Sequence, residues 1–170
     1  MEEEKEGTGW QVSACLNGRI HMGMPEGWER PAETVLSERF PGSTGPEEIF
    51  ADSGADRMLT LSRLGKHLQE RQVYPAVREI QRVVSRVYPE SVRDQAQTIT
   101  VQTGSAGFFS FLTGGMAGDV CHFLFILPDA EERMLLGGLH LPAGELRSGK
   151  ELLVKIIRSI QEEDTGRNSQ

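Results

Sequence analysis

The chain has 170 residues, with 18 Lys and Arg against 25 Asp and Glu and a formal net charge of −7. That length supports one domain with its own core, so neither a disulfide nor a metal staple is required. The acidic balance repels a phosphate backbone, which excludes a general DNA or RNA binder.

The first residues, Glu2-Glu3-Glu4-Lys5-Glu6, reverse the positive-then-apolar order of a secretory signal, and no apolar run approaches membrane-spanning length. A cytoplasmic location is expected. Residues 1–9 and 163–170 are polar and lack apolar periodicity, so they read as disordered tails around a single domain at 10–162.

Trp10 to Leu16 and Arg19 to Met24 suit strands, and Asn17-Gly18 between them is a strong hairpin signal. Pro25-Glu26-Gly27-Trp28 ends the second strand, and the prolines and glycines that follow keep 29–46 mostly irregular, apart from a short helical turn at Ala32 to Glu38. Glu47 to Asp52 and Arg57 to Leu64 form a second hairpin through Ser53-Gly54-Ala55-Asp56. The clearest helix runs from Tyr74 to Tyr88: Val73, Val77, Ile80, Val84 and Val87 make its apolar stripe, Pro75 suits its first turn and Pro89 stops it. Its other face carries Arg78, Glu79, Gln81, Arg82 and Arg86 and is expected to be wet.

Three more strands are predicted at Gln97 to Thr103, Asp119 to Leu127 and Arg133 to Leu141, with Phe108 to Leu112 either a fourth or an extension of the first. Both alternating sets of Val120 to Leu127 are apolar, so both faces of this sheet should be covered. A last helix over Gly149 to Glu162, opened by a capping box of Ser148 with Glu151, can cover one face while the central helix covers the other. The expected fold is α+β, a three-layer α/β/α sandwich around a mainly antiparallel sheet of six to seven strands.

No segment carries a recognisable catalytic pattern. Thr113-Gly114-Gly115-Met116-Ala117-Gly118 lacks the lysine and hydroxyl of a phosphate loop. Gly104-Ser105-Ala106-Gly107 and Gly42-Ser43-Thr44-Gly45 read as ordinary turns rather than nucleophile elbows. The carboxylates Glu47, Glu48, Asp52, Asp56, Glu131 and Glu132 fall in turns, where solvated acids are normal. His122 and His140 should lie on paired strands and on one face, but Cys121 then points the opposite way, so a four-ligand zinc site cannot use both Cys121 and His122. No metal and no cofactor is expected, and Cys15 and Cys121 read as reduced core thiols. Phe108, Phe109, Phe111, Leu112 and Met116 either fill the core or form a groove, and Phe108, Phe109, Phe111 and Met116 are the nominated binding surface.

The strand ending in Met24-Pro25-Glu26-Gly27-Trp28, the segments Phe40-Pro41 and Pro46 to Phe50, and the order of elements to the last helix resemble the PsbP-like superfamily over about residues 19–162. That superfamily includes the Ran-binding Mog-type proteins and bacterial DcrB-like domains. The resemblance implies a three-layer sandwich and a mostly non-enzymatic role: a nucleotide-release factor for a small GTPase, an extrinsic subunit of the oxygen-evolving complex, or a chaperone for secretion effectors. It carries over no site residue. The expected function is a non-enzymatic protein- or peptide-binding module of bacterial type, monomeric or homodimeric. The alternative is a small-ligand carrier or hydrolase-type enzyme with a pocket between sheet and helix.

Overall fold

The computed structural model describes residues 9–40, 45–102, 104–114 and 118–163. Most of the two expected tails, residues 41–44 and Met116 lie outside those ranges.

β1 (Trp10–Cys15) and β2 (Ile20–Pro25) form the expected hairpin, with Cys15 opposite Ile20. Its loop is four residues long, and Leu16, Asn17 and Gly18 all have positive φ, at 52°, 61° and 80°. Glycine and asparagine tolerate that region. Leu16 is held there from outside the loop, because its side chain is buried and its N–H donates to the Glu48 carboxylate at 2.7 Å.

α1 (Glu33–Arg39) leads to β3 (Glu48–Ala51) and β4 (Met58–His67), which pair as the second hairpin. Next come α2 (Val73–Val87), β5 (Val92–Arg93), β6 (Gln97–Val101) and β7 (Gly104–Thr113), then β8 (Val120–Pro128) and β9 (Arg133–Pro142). α3 (Leu146–Ser159) and the two-residue β10 (Gln161–Glu162) close the chain. The central sheet has the order β3-β4-β9-β8-β7, with β5 and β6 both pairing to the outer side of β7, and every pairing in it is antiparallel. The fold is α+β with a mainly antiparallel central sheet, as expected.

Three local expectations are corrected. The β1–β2 hairpin does not join the central sheet: with β10 it makes a separate three-stranded sheet. Ile20, Met22 and Met24 are fully buried in one cluster with Leu153, Ile156 and Ile157 of α3, and the Gly23 N–H donates to Ser159 Oγ at 2.7 Å, so β2 is spent on that helix. Secondly, Gly104 to Gly107 is not a turn but the first part of β7, paired with β6 on one side and, at Gly107, with Ile126 of β8 on the other. Thirdly, Ser148 does not cap α3. The 3₁₀ turn Ala143–Glu145 runs straight into the helix at Leu146, and the Ser148 hydroxyl donates back to the Glu145 carbonyl. Glu145 is fixed by Arg57, which also pairs with Asp52 in the β3–β4 turn, so a distant ion pair rather than a local cap sets this helix start.

Alternation along β8 places Cys121, Phe123, Phe125 and Leu127 against α3, and Leu124 and Ile126 against α2. Gly149 lets α3 sit close, since a Cβ there would fall 2.5 Å from Leu141 Cδ1 and 3.0 Å from Phe123 Cε2. α2 buries Val73, Val77 and Val84 with Phe109, Phe111, Ile126 and Met134. α1 seats Leu36 among Ile49, Ala51 and Met58. Met58 lies opposite His140, His140 opposite His122, and His122 opposite Phe111, so α1 and α2 cover the same face of the sheet.

Trp28 is buried in the α3-side core, and its carbonyl accepts from Gln11 Nε2 at 2.7 Å. Trp28→Ala is expected to cost about 3 to 5 kcal/mol, since it empties an indole-sized volume. Urea unfolding followed by circular dichroism measures it, and a loss below about 1 kcal/mol would show that the ring is not packed.

Candidate functional site

Among the described residues, five of the seven large apolar side chains that are exposed by 40% or more, Tyr74, Val83, Val87, Tyr88 and Val92, lie on α2 or just beyond it. At about 100° per residue the buried stripe of α2 divides its open surface into two flanks. Tyr74, Arg78, Gln81, Arg82 and Ser85 face Arg93 to Ala96 across a groove of about 460 Å³. On the other flank Ala76, Val83 and Val87 recur. Ala76 there lines a cavity of about 480 Å³ with Leu68 and Met134, and Val87 lines one of about 260 Å³ with Tyr88, Pro89, Thr113 and Gly114. The sheet beside this flank shows Leu64, Leu124 and Leu136, each only partly buried. Val87, expected in the packed stripe, is 61% exposed.

At the α1 end of that apolar strip stand His122 and His140, paired as predicted. Their Nδ1 atoms are 2.9 Å apart, and Thr113 Oγ1 lies 2.8 Å from His122 Nε2. One Nδ1 must donate and the other accept, so the two rings share a single proton in that contact. Phe111 stacks on His122 with ring centroids 4.6 Å apart, and Tyr88 continues the aromatic row at 5.7 Å from Phe111. A Cβ on Gly138 would lie 2.7 Å from His140 Nε2, so glycine there makes room for the imidazole. Burial pushes the His140 pKa down to about 3, with the charges of His122 and Arg39 as further causes. Burial also lowers that of His122.

A neutral, proton-sharing pair of this kind is a weak base and an obstructed ligand. Among the described residues no third His, Cys, Asp or Glu joins it, and neither ring lines any of the cavities of about 210 to 480 Å³. Burial raises Cys121 to about 11 and Cys15 to about 12, so both thiols stay protonated.

Of the two readings of the nominated phenylalanines, core or groove, the described rings take the core. Phe108, Phe109 and Phe111 are 2%, 0% and 5% exposed, so they are core side chains and offer no surface for docking. Successive residues of β7 point to opposite faces and both faces are covered, which leaves none of the three rings outside. Met116 lies outside the described residues. The turn carboxylates serve structure: Asp52 Oδ1 accepts from the Asp56 and Arg57 N–H groups, and Glu47 accepts from Arg63 N–H. The sheet-to-helix cavity that a ligand carrier needs is about 250 Å³, lined by Phe108, Ser110, Phe123, Leu146, Arg147 and Lys150 among others.

No protein-family model matches the sequence, and no curated protein does. Solved structures do. The Ran-binding protein Mog1p of Saccharomyces cerevisiae matches 93% of this chain over 97% of its own, with a TM-score of 0.59 at 12% identity. PsbP (CyanoP) from Synechocystis sp. PCC 6803 matches 92% over 94% of its own, with a TM-score of 0.58 at 9% identity. The chain has the Mog1/PsbP fold. A third structure, from Bacteroides thetaiotaomicron, matches 94% of this chain over 50% of its own, with a TM-score of 0.58 at 12% identity. At these identities the likeness establishes the Mog1/PsbP fold alone, and it does not single out the DcrB-like branch. No described helix is long and apolar enough to cross a membrane.

The apolar flank of α2 escaped the sequence reading, although one signal was there. Val83 is the valine of this helix that lies off the predicted stripe, and an apolar side chain on a flank expected to be wet is the pattern of a contact surface.

Proposed function

We propose that this chain is a non-catalytic protein-binding module that docks an apolar segment of a partner protein along the Val83–Val87 flank of α2 and the sheet strip Leu64, Leu124 and Leu136. The observation that carries the reading is the concentration of exposed apolar side chains on and just after one helix, beside a sheet face that is only partly covered. The Ran-binding protein Mog1p offers support as a protein of this fold that engages another protein.

Val83→Asp with Val87→Asp tests it without touching the core, because both side chains are already solvated. Affinity capture from a lysate of the source cells, quantified by mass spectrometry, is expected to lose its partner by at least about tenfold, roughly 1.4 kcal/mol of binding. A partner retained at wild-type level by the double variant removes this surface. Light scattering on the purified chain separates a hetero-partner from self-association across the same flank.

A further inference from the structure

The opposite flank of α2 carries a second, cationic feature. Three guanidinium groups, Arg78, Arg82 and Arg93, line one groove together with the Asp94 carboxylate, on a chain whose net charge is −7. Each is held by a named neighbour: Arg78 stands 5.8 Å over the Tyr74 ring, Arg82 pairs with Glu79, and Arg93 Nη1 donates to the Ser91 carbonyl and hydroxyl at 3.1 and 2.9 Å. The groove wall is tied by Gln81 Nε2, which donates to the Asp94 carbonyl at 2.6 Å, while the Asp94 carboxylate accepts from the Gln95 N–H at 2.8 Å. The contacts of Arg78 and Arg93 restrict their exposed guanidinium groups beside the groove, whereas Arg82 engages an incoming carboxylate only by exchanging it for Glu79.

We infer that this groove receives an extended acidic segment of a partner protein, with carboxylates at alternate positions. Arg78 and Arg82 are one helical turn apart, about 6 Å along the axis, and alternate side chains of an extended strand are about 6.6 Å apart on one side. The planar fork of arginine matches a carboxylate through two parallel hydrogen bonds. A nucleic acid fits less well, because outside the groove the chain is acidic and would repel a continuous phosphate backbone. The site stands apart from the apolar flank proposed above, and the two can fail independently.

The test is fluorescence anisotropy of the full chain with three labelled probes: a Glu-Ser repeat octapeptide, a Lys-Ser repeat octapeptide and a single-stranded RNA octamer. The acidic peptide is expected to bind, to weaken about tenfold to a hundredfold in Arg78→Glu and in Arg93→Glu, and to weaken as salt shortens the screening length. Arg78→Gln guards against misfolding of the reversals and should weaken it in the same direction. Val87→Asp should leave it unchanged, even where partner capture is lost. No binding of the acidic peptide at about millimolar concentration overturns the inference. So does binding that survives both reversals, or equal binding of the lysine peptide or the RNA.

Discussion

Phe109→Ala is expected to lower the unfolding free energy by about 3 to 5 kcal/mol, a large share of the 5 to 15 kcal/mol typical of a domain. Phe109 is fully buried on β7, beneath α2, with Phe111 stacked 5.9 Å away and Ile126 in the same cluster. Truncation removes the transfer energy of the ring and leaves a cavity that a close-fitted helix and a paired strand cannot close. Urea unfolding read by circular dichroism gives the loss. A change below about 1 kcal/mol would mean that α2 collapses into the space or does not seat as described. Phe109→Asp should fail to fold, because it would add a buried, unpaired carboxylate to the same cavity. A soluble, folded Phe109→Asp chain would restore the surface role that the burial of this ring rules out.

The second large effect is the loss of stability in acid contributed by the histidine pair. The folded-state pKa of His140 is about 3 against an ordinary 6.5, and the cause is first burial, then the positive charge of His122 and of Arg39 on α1. Between those two values the unfolded chain binds a proton at this residue that the folded chain refuses. Stability is therefore complete above about pH 6.5 and falls as the pH drops toward about 3, at about 1.4 kcal/mol per pH unit. At pH 4.5 the loss amounts to about 2 to 3 kcal/mol, and His122, shifted the same way, adds to it. Carboxylates elsewhere titrate in the same range, so the comparison is with His140→Gln, which keeps those groups and removes the imidazole. The wild type should lose about 2 to 3 kcal/mol more than the variant between pH 7.5 and 4.5 in parallel urea titrations. Equal losses would show that the pair is protonated freely in the folded state.

Much of the frame was legible from residue order. The two-sided apolar pattern of β8 separated Cys121, Phe123, Phe125 and Leu127 from Leu124 and Ile126 as the structure does, and the 3- and 4-residue spacing of Val73, Val77, Ile80 and Val84, with Pro75 and Pro89 at its ends, located α2 within one residue at each end. The simple register between two strands joined by a short turn placed His122 opposite His140. These readings succeed because periodicity and turn chemistry are local: they depend on sterics within a few residues.

What covers each face is a different kind of fact, decided by contacts between segments far apart in the chain. Nothing near Ile20, Met22 or Met24 says that β2 leaves the central sheet for α3, since the Ser159 hydroxyl that binds Gly23 is 136 residues away. The start of α3 follows from Arg57 gripping Glu145, 88 residues apart, and overrides a local capping pattern at Ser148. The same limit explains the phenylalanines of β7, whose alternation is legible while their burial is not, because a strand pattern cannot state that a helix lies on both sides. Composition and periodicity thus determined the class of fold, most of the inward stripe of α2 and the two-sided packing of β8. Tertiary packing alone decided which apolar side chains of α2 stay in solvent, which arginines converge, and hence where a partner has a surface to meet.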